Sequence, residues 1–330
     1  MKEYKIIQPE LKIKEIYEEN KDKWKLEILC SFGCDKKVST PNLNRPGLLF
    51  AGFEKIFLYE RIQIIGETEH LYLSSFSEKE RKEAIDRFVK YDFPAVFITK
   101  NLEPDPYLIQ KLCERKIPLI RTPMDTTPFM NALYFYLSLK LAPYTIIHGT
   151  LVDVYGVGIL FTGRSGIGKS ECAIDLVARG HRLVADDGIK IIRHPDGFLL
   201  GKCAQEEIYF NPYVEIRGIG IIDVLSIYGI RAIRDAKRID LEIKLIDWSE
   251  NLDYERTGLK ENIEEIMDIP LPYIVLPLNP GKNIAVLVEI VALDYLLKKE
   301  GYHSAKSLSE ILKKKIMEKR KEIDFYKEIE

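Results

Sequence analysis

Apolar positions in the first third of the chain fall into short runs of four or five, separated by longer polar stretches. Arg61-Ile62-Gln63-Ile64-Ile65 and Ala95-Val96-Phe97-Ile98-Thr99 have the length and β-branched content of strands. Between them, Ser77-Glu78-Lys79-Glu80-Arg81-Lys82-Glu83-Ala84 has a helical pattern, and Ser77 with Glu80 three residues on forms a capping-box start. This alternation predicts a small α/β domain. After Asp125 the pattern becomes helical. Thr127 is placed to cap that helix, Pro128 suits its first turn and Pro143 stops it. Its faces carry Phe129, Met130, Leu133, Phe135, Tyr136, Leu137 and Leu141, so it is expected to be buried, between two domains. The expected division is an N-terminal α/β domain over 1–138 and a second domain over 139–330.

The second region opens with strands over 151–155 and 157–162 around a turn at Gly156. Further strands are predicted at 182–185, 189–193, 239–246 and 273–276. Helices are predicted from Lys169 to about Arg179, closed by Gly180, and from Asn283 to Lys299, ending at Gly301. The tail from Ser307 is helical by pattern, with Leu308, Ile311, Leu312 and Ile316 on one face. Its Lys313-Lys314-Lys315 and Lys319-Arg320-Lys321 groups read as a solvated face. The sequence has neither an internal repeat nor a low-complexity tract.

Composition narrows the class. With 330 residues, 46% apolar, the chain can build a sizeable core. A net charge of −2 argues against a nucleic-acid binder held by bulk positive field. Apolar runs long enough to span a membrane are absent, and the N-terminus lacks an apolar signal core, so a cytoplasmic protein is expected. The five cysteines (Cys30, Cys34, Cys113, Cys172 and Cys203) are scattered without zinc-site spacing and are expected to be reduced thiols in or near the core.

The chemistry concentrates in Gly163-Arg164-Ser165-Gly166-Ile167-Gly168-Lys169-Ser170, an ungapped match to the Walker A pattern. Its glycines let backbone N–H groups turn inward around phosphate oxygens. Lys169 is placed to reach the β- and γ-phosphates, and the Ser170 hydroxyl can hold the bridging Mg2+. A strand runs into the loop and a helix leaves it, so the helix N-terminus faces the bound anion. By contrast, Gly156-Val157-Gly158 has no third glycine to complete a dinucleotide fingerprint.

Downstream, Arg182-Leu183-Val184-Ala185-Asp186-Asp187 is an apolar run ending in two carboxylates, similar to a Walker B strand. One carboxylate could position metal while the other takes a proton from an attacking hydroxyl. His148-Gly149 lies shortly before the loop. Glu215 and Arg217 form a charged pair in an apolar, glycine-rich run, expensive to bury without function. Arg256, on sequence grounds alone, reads equally well as a surface arginine.

Taken together, these segments resemble the HPr kinase/phosphorylase family. The resemblance is carried by His148-Gly149-x-Leu151-Val152-Asp153-Val154-Tyr155-Gly156, by the loop 163–170, and by Gly180-His181-Arg182-Leu183-Val184-Ala185-Asp186-Asp187. Glu215-Ile216-Arg217-Gly218-Ile219-Gly220-Ile221-Ile222, Arg256 and Pro277-x-x-Pro280-Gly281-x-Asn283 add to it. Arg45-Pro46-Gly47-Leu48 and Glu60-Arg61-Ile62-Gln63 extend it toward the N-terminus. The resemblance implies phosphorylation of a serine on the phosphocarrier protein HPr, with ATP or pyrophosphate as donor, and reversal by phosphorolysis with inorganic phosphate. It further implies His148, Lys169, Asp186, Asp187 and Arg256 as catalytic residues, Asp187 before Asp186 as the proton-transferring member. Ser170 and Glu215 become magnesium ligands. It implies a catalytic domain of the phosphoenolpyruvate carboxykinase type and a homohexamer. Where the family's 277–282 loop usually carries arginines, this chain has Asn279 and Lys282.

Two other readings share the loop and the acidic pair: a small-molecule kinase or carboxykinase relative, and a nucleotide-binding switch that transfers nothing. The first has no need of a separate N-terminal domain. The second has no need of the Asp pair, His148 and Arg256.

Overall fold

A computed structural model of the chain describes residues 4–204, 213–249, 262–278, 281 and 283–327, side chains at 305, 306 and 318–327 excepted. The chain divides into two compact units, Ile7–Pro143 and Met1–Ile6 with Tyr144–Glu330. Both are mixed α/β.

In the first unit β1 (Leu11–Lys12), α1 (Ile13–Asn20), β2 (Glu27–Cys30), β3 (Lys37–Val38), β4 (Leu43–Asn44) and α2 (Gly47–Phe50) precede the predicted strand β5 (Ile62–Ile65). Helices α3 (Glu67–Ser74) and α4 (Glu78–Val89) lead to β6 (Val96–Ile98), and α5 (Pro106–Glu114) leads to β7 (Leu119–Arg121). The sheet order is β2-β7-β6-β5-β4, with β4 to β7 parallel and β2 antiparallel at one edge. Strand alternation explains the two apolar layers. Val96 and Ile98 enter a cluster with Phe50, Phe88 and Leu112, whereas Phe97 enters another with Ile13, Phe129 and Leu133.

Several polar residues in this unit have structural tasks. Fully buried Gln63 donates to the Leu58 and Arg61 carbonyls at 3.0 and 2.8 Å and accepts from Asn44 Nδ2 at 2.8 Å. Buried Glu69 accepts from Arg45 Nη2 at 2.8 Å and from the Gly66 amide at 3.0 Å. The capping box of α4 forms as expected, with Glu80 accepting from the Ser77 amide at 3.0 Å and Ser77 Oγ from the Glu80 amide at 3.4 Å.

Two expectations for this unit are corrected. Helix α6 spans Thr126–Lys140 with Asp125 at its N-cap, so Thr127 is already helical. The Thr126 hydroxyl, in the first turn, bonds that of Thr99 at 2.7 Å. Nor is α6 buried all round, since Tyr134, Phe135 and Leu139 are exposed. The cysteines are not all free. Cys30 on β2 and Cys113 on α5 form a disulfide with Cα atoms 5.8 Å apart. They are 83 residues apart in sequence, a proximity that only the fold creates. Cys34, Cys172 and Cys203 remain thiols, and burial pushes Cys172 up to about 12.

The second unit begins with a tight hairpin, β8 (Tyr144–Val154) and β9 (Val157–Thr162), turning at Tyr155 and Gly156, both at positive φ. There follow α7 (Lys169–Ala178), β10 (Arg182–His194), β11 (Phe198–Cys203), the hairpin β12 (Tyr213–Ile216) and β13 (Gly220–Asp223), and α8 (Val224–Tyr228). A 3-10 turn at Ile230–Ala232 leads to β14 (Ala236–Arg238), β15 (Leu241–Asp247), β16 (Asn262–Ile266), β17 (Ile269–Leu278), α9 (Ile284–Lys299) and α10 (Ser304–Lys327). Eight strands form one sheet in the order β14-β11-β10-β8-β9-β15-β17-β16. Val152, Ile159 and Phe161 pack under α7 and α9, while Leu151, Leu160, Ile189 and Leu199 form the core of the opposite face.

The predicted strands at 182–185 and 189–193 are one strand, β10. It stays paired with β8 through Asp186, Asp187 and Gly188, with an irregularity between Leu183 and Ala185. Strand β17 starts earlier than predicted because Pro270 and Pro272, poor strand formers, nonetheless pair with β16. Helix α9 is capped as its sequence suggests, Asn283 Oδ1 accepting from the Val286 amide at 3.2 Å. Leu308, Ile311, Leu312 and Ile316 of α10 are exposed, as are Lys313, Lys314 and Lys315. No helix among the described residues is long and apolar enough to cross a membrane.

Candidate active site

Strand β9 delivers the chain to the 163–170 loop, and α7 begins at its lysine. Two glycines meet steric demands. A Cβ on Gly163, at φ 144°, would lie 2.5 Å from the Leu245 carbonyl oxygen. Gly166 is constrained by its backbone, at φ 72°, since the atoms nearest an added Cβ belong to the movable Arg217 guanidinium. Ser165, Gly166, Gly168, Lys169 and Ser170 line a cavity of about 700 Å³. Ile167 turns into the core instead. Arg164 forks onto Asp247 at the end of β15, with two contacts of 2.7 Å, and this ion pair holds Asp247 below the usual carboxylate range.

Lys169 is only 6% exposed. Its ammonium donates to the Gly163 and Arg164 carbonyls at 3.2 and 3.1 Å. Burial lowers its pKa, against the opposing pull of Asp186, Asp187 and Glu171.

Across the cavity Asp186 accepts from two hydroxyls, Ser170 Oγ at 2.8 Å and Thr150 Oγ1 at 2.5 Å. Burial raises its pKa, and these hydroxyls only partly offset the rise. Asp187 is 84% exposed at its side chain, and its Oδ1 lies 2.8 Å from His148 Nδ1. Successive strand residues ordinarily point to opposite faces. Asp187 adopts φ 67°, which breaks that alternation, and both carboxylates line the same cavity. Asp is among the residues that tolerate this conformation best.

The strand of the acidic pair, β10, lies beyond β8 and is antiparallel to it, as β8 is to β9, so β10 runs in the same direction as the strand that feeds the loop. The acidic pair reaches the loop because β8 and β10 bring Thr150 opposite Asp186 and Gly149 opposite Asp187. Glu215 and Arg217, the charged pair of the apolar run, are both exposed and both line the cavity. Opposite-face residues Val214 and Ile216 pack into the core, which leaves Tyr213, Glu215 and Ile221 on the cavity side of the β12–β13 hairpin.

Sequence reasoning missed Thr150, Ile146, Tyr213 and Ile221. A signal existed for the first two, since they stand two residues on either side of His148 on one strand. Arg256, Asn279, Pro280 and Lys282 lie outside the described residues.

A cation would find hard oxygen donors here, in the Ser170 hydroxyl and the Asp186 and Glu215 carboxylates that line the cavity. Among the described residues no group of three or more His, Cys, Asp or Glu side chains forms a ready-made metal cage.

A phosphate-binding loop facing a paired set of carboxylates defines a phosphotransferase. Family models agree. One described as the HPr Serine kinase C-terminal domain matches residues 139–312, and one described as the HPr Serine kinase N terminus matches 11–137. The HPr kinase/phosphorylase of Chlorobium phaeobacteroides is 43% identical over 85% of this chain and 82% of its own length. That of Alkaliphilus metalliredigens is 43% identical over 86% of this chain and 90% of its own length. A solved Hpr(Ser) kinase/phosphatase from Coxiella burnetii is 34% identical, covers 50% of this chain and 98% of its own, and superposes with a TM-score of 0.44. The chain belongs to the HPr kinase/phosphorylase family, whose members are serine kinase/phosphorylase enzymes.

Proposed function

We propose that this chain phosphorylates a serine of HPr with ATP or pyrophosphate as donor and Mg2+ as cofactor, and removes that phosphate by phosphorolysis. The observation that carries the mechanism is the exposed Asp187 carboxylate, 2.8 Å from His148 Nδ1, in the cavity of the phosphate loop. In the forward direction the serine oxygen attacks the terminal phosphorus of the donor, the bond from that phosphorus to the leaving group (ADP from ATP, phosphate from pyrophosphate) breaks, and Asp187 takes the hydroxyl proton. His148 orients that carboxylate. In reverse, a phosphate oxygen attacks the phosphoserine phosphorus, pyrophosphate forms, and Asp187 returns a proton to the serine oxygen.

Backbone N–H groups of 165–169 cradle the donor phosphates, and Lys169 neutralises their charge. Ser170 and Glu215 hold the cation, with Asp186 as the carboxylate that bonds Ser170. The cation supplies charge neutralisation across the transferred phosphate. Arg256 is assigned to stabilising the same charge. A catalytic unit of the phosphoenolpyruvate carboxykinase type, its division from the N-terminal domain near 138–139, and assembly into a homohexamer belong to the same proposal. The names of relatives at about 40% identity favour the protein-serine acceptor over a small-molecule acceptor or a nucleotide switch.

The test is incubation of the purified chain with HPr, ATP and magnesium, with mass spectrometry of HPr, followed by addition of phosphate. One phosphoryl group on a serine, then its loss with formation of pyrophosphate, is expected. Unmodified HPr beside a phosphorylated metabolite would overturn the proposal.

A further inference from the structure

Strand β15 has no part in the proposed chemistry, yet it flanks the phosphate loop. It runs parallel to β9 and pairs with it as far as Lys244, which stands opposite Thr162, the last residue before the loop. The β9 ladder ends there, while β15 continues through Leu245–Asp247.

Where the ladder stops, other contacts take over, and they fall on three successive residues. Thr162 Oγ1 donates to Glu242 Oε1 at 2.5 Å, and both side chains are buried. Gly163 passes so close to the Leu245 carbonyl that no side chain fits between them. Arg164 donates through Nε and Nη2 to the two Asp247 oxygens, each at 2.7 Å.

The carbonyls of the loop are held on the same side of the account. A nest that presents N–H groups to phosphate has to turn its carbonyl oxygens elsewhere. Those of Gly163 and Arg164 accept from Lys169 Nζ at 3.2 and 3.1 Å, and that of Ser165 accepts from Arg164 Nη1 at 3.4 Å. The Arg164 guanidinium thus grips the end of β15 with one edge and the loop backbone with its remaining amine. Both members of the Arg164–Asp247 pair are exposed, and surface pairs of this kind add little to the stability of a fold. Charge alone also argues against a carboxylate here, since its field opposes the approach of an anionic donor. A fork fixed on Arg164 does offer something else: the loop entrance is ordered before the donor arrives, so less freedom is lost on binding.

We propose that β15 braces the entrance of the phosphate loop, and that Asp247 is a positioning residue which, through Arg164, holds residues 163–165 in the shape that receives donor phosphates. This deepens the proposed function and rests on it for the identity of the donor. Glu242 secures the buried end of the brace at Thr162, and Asp247 the exposed end.

The test compares the parent protein with Asp247→Asn and Asp247→Glu for ATP and pyrophosphate affinity by calorimetry, for steady-state kinetics with HPr, and for melting temperature without donor. In Asp247→Asn the dissociation constants of both donors, and the donor KM, should rise about three- to fivefold, with kcat at saturation and melting temperature unchanged. Asp247→Glu keeps a carboxylate for the fork and should recover most of the parent affinity. The sign of the change decides. If Asp247 were only a negative charge near the site, its removal would tighten donor binding, so tighter or unchanged binding in Asp247→Asn overturns the brace. A lowered melting temperature at parent donor affinity overturns it too, leaving Asp247 a purely structural residue. A parent protein that binds both donors but never modifies HPr defeats the acceptor reading instead, and the affinity comparison still decides the brace.

Discussion

Ser170 Oγ donates to Asp186 Oδ2 at 2.8 Å, linking the first turn of the phosphate-loop helix to the strand of the acidic pair. With the Thr150 hydroxyl on the other oxygen, the carboxylate is hydrogen-bonded on both sides, yet it faces no cation in direct contact among the described residues. Its raised pKa shows that burial outweighs those two bonds.

Asp186→Asn should therefore separate stability from function. The amide keeps the size of the side chain and removes a charge that burial disfavours, so the melting temperature without ligands should hold or rise. Phosphorylation of HPr should fall about 10²-fold or more, with a higher magnesium requirement, because the carboxylate helps place Ser170. Calorimetry and a magnesium titration check both halves; a large loss of melting temperature would make Asp186 a structural residue.

Asp187→Asn should behave differently, since this side chain is exposed and contacts His148 rather than the loop. Turnover should drop by about 10²- to 10⁴-fold, the usual contribution of a general base, with ATP affinity retained. Loss of ATP binding at preserved turnover per bound enzyme would pass the base role to Asp186.

Much of this site could be read from residue order, because a phosphate loop is local. Strand, glycines, Lys169 and Ser170 lie within one short stretch, and the structure keeps them there. The acidic pair was legible as residues but not as geometry. Nothing in the run 182–187 states that the strand lies two places from the one that feeds the loop, with β8 between them, or that Asp187 breaks the alternation of side chains. In the first unit, Gln63 looked like an interruption of an apolar run, although its amide is satisfied by groups on neighbouring segments. Such partners are set by tertiary contact, as is the meeting of Cys30 with Cys113.

Glu289 on α9 ties that helix to the end of the phosphate-loop helix. Arg179 Nε and Nη2 donate to it at 2.8 and 2.6 Å, and His181 Nε2 lies 3.1 Å away. The Arg179 bond is the largest cause of its lowered pKa, with burial opposing. A carboxyl whose pKa is depressed by folding adds stability above its unfolded value, near 4.5, and that stability is lost as pH falls through the lower folded value. Glu289→Gln should lower the melting temperature by a few degrees at pH 7 and flatten the decline that the parent shows in acid below that range. Parallel acid limbs in the two proteins would remove Glu289 from the account.

The Cys30–Cys113 bridge can be tested without reference to activity. It joins β2 to α5 within the first unit and closes a loop of 83 residues. Chain entropy alone gives such a crosslink about 4.5 kcal/mol of stabilisation at room temperature. The protein purified without reductant and then denatured should expose three titratable thiols, those of Cys34, Cys172 and Cys203, and five after reduction. Reduction, or Cys113→Ser, should lower the unfolding midpoint of the Ile7–Pro143 unit. Phosphate-loop chemistry resides in the other unit, so nucleotide affinity should be unchanged in the same samples. The physical reason is that the crosslink restricts the unfolded chain of one unit and touches no residue of the cavity. Five thiols before reduction would show that the two sulfurs lie side by side unbonded, and the expected change in midpoint would then vanish with the bond.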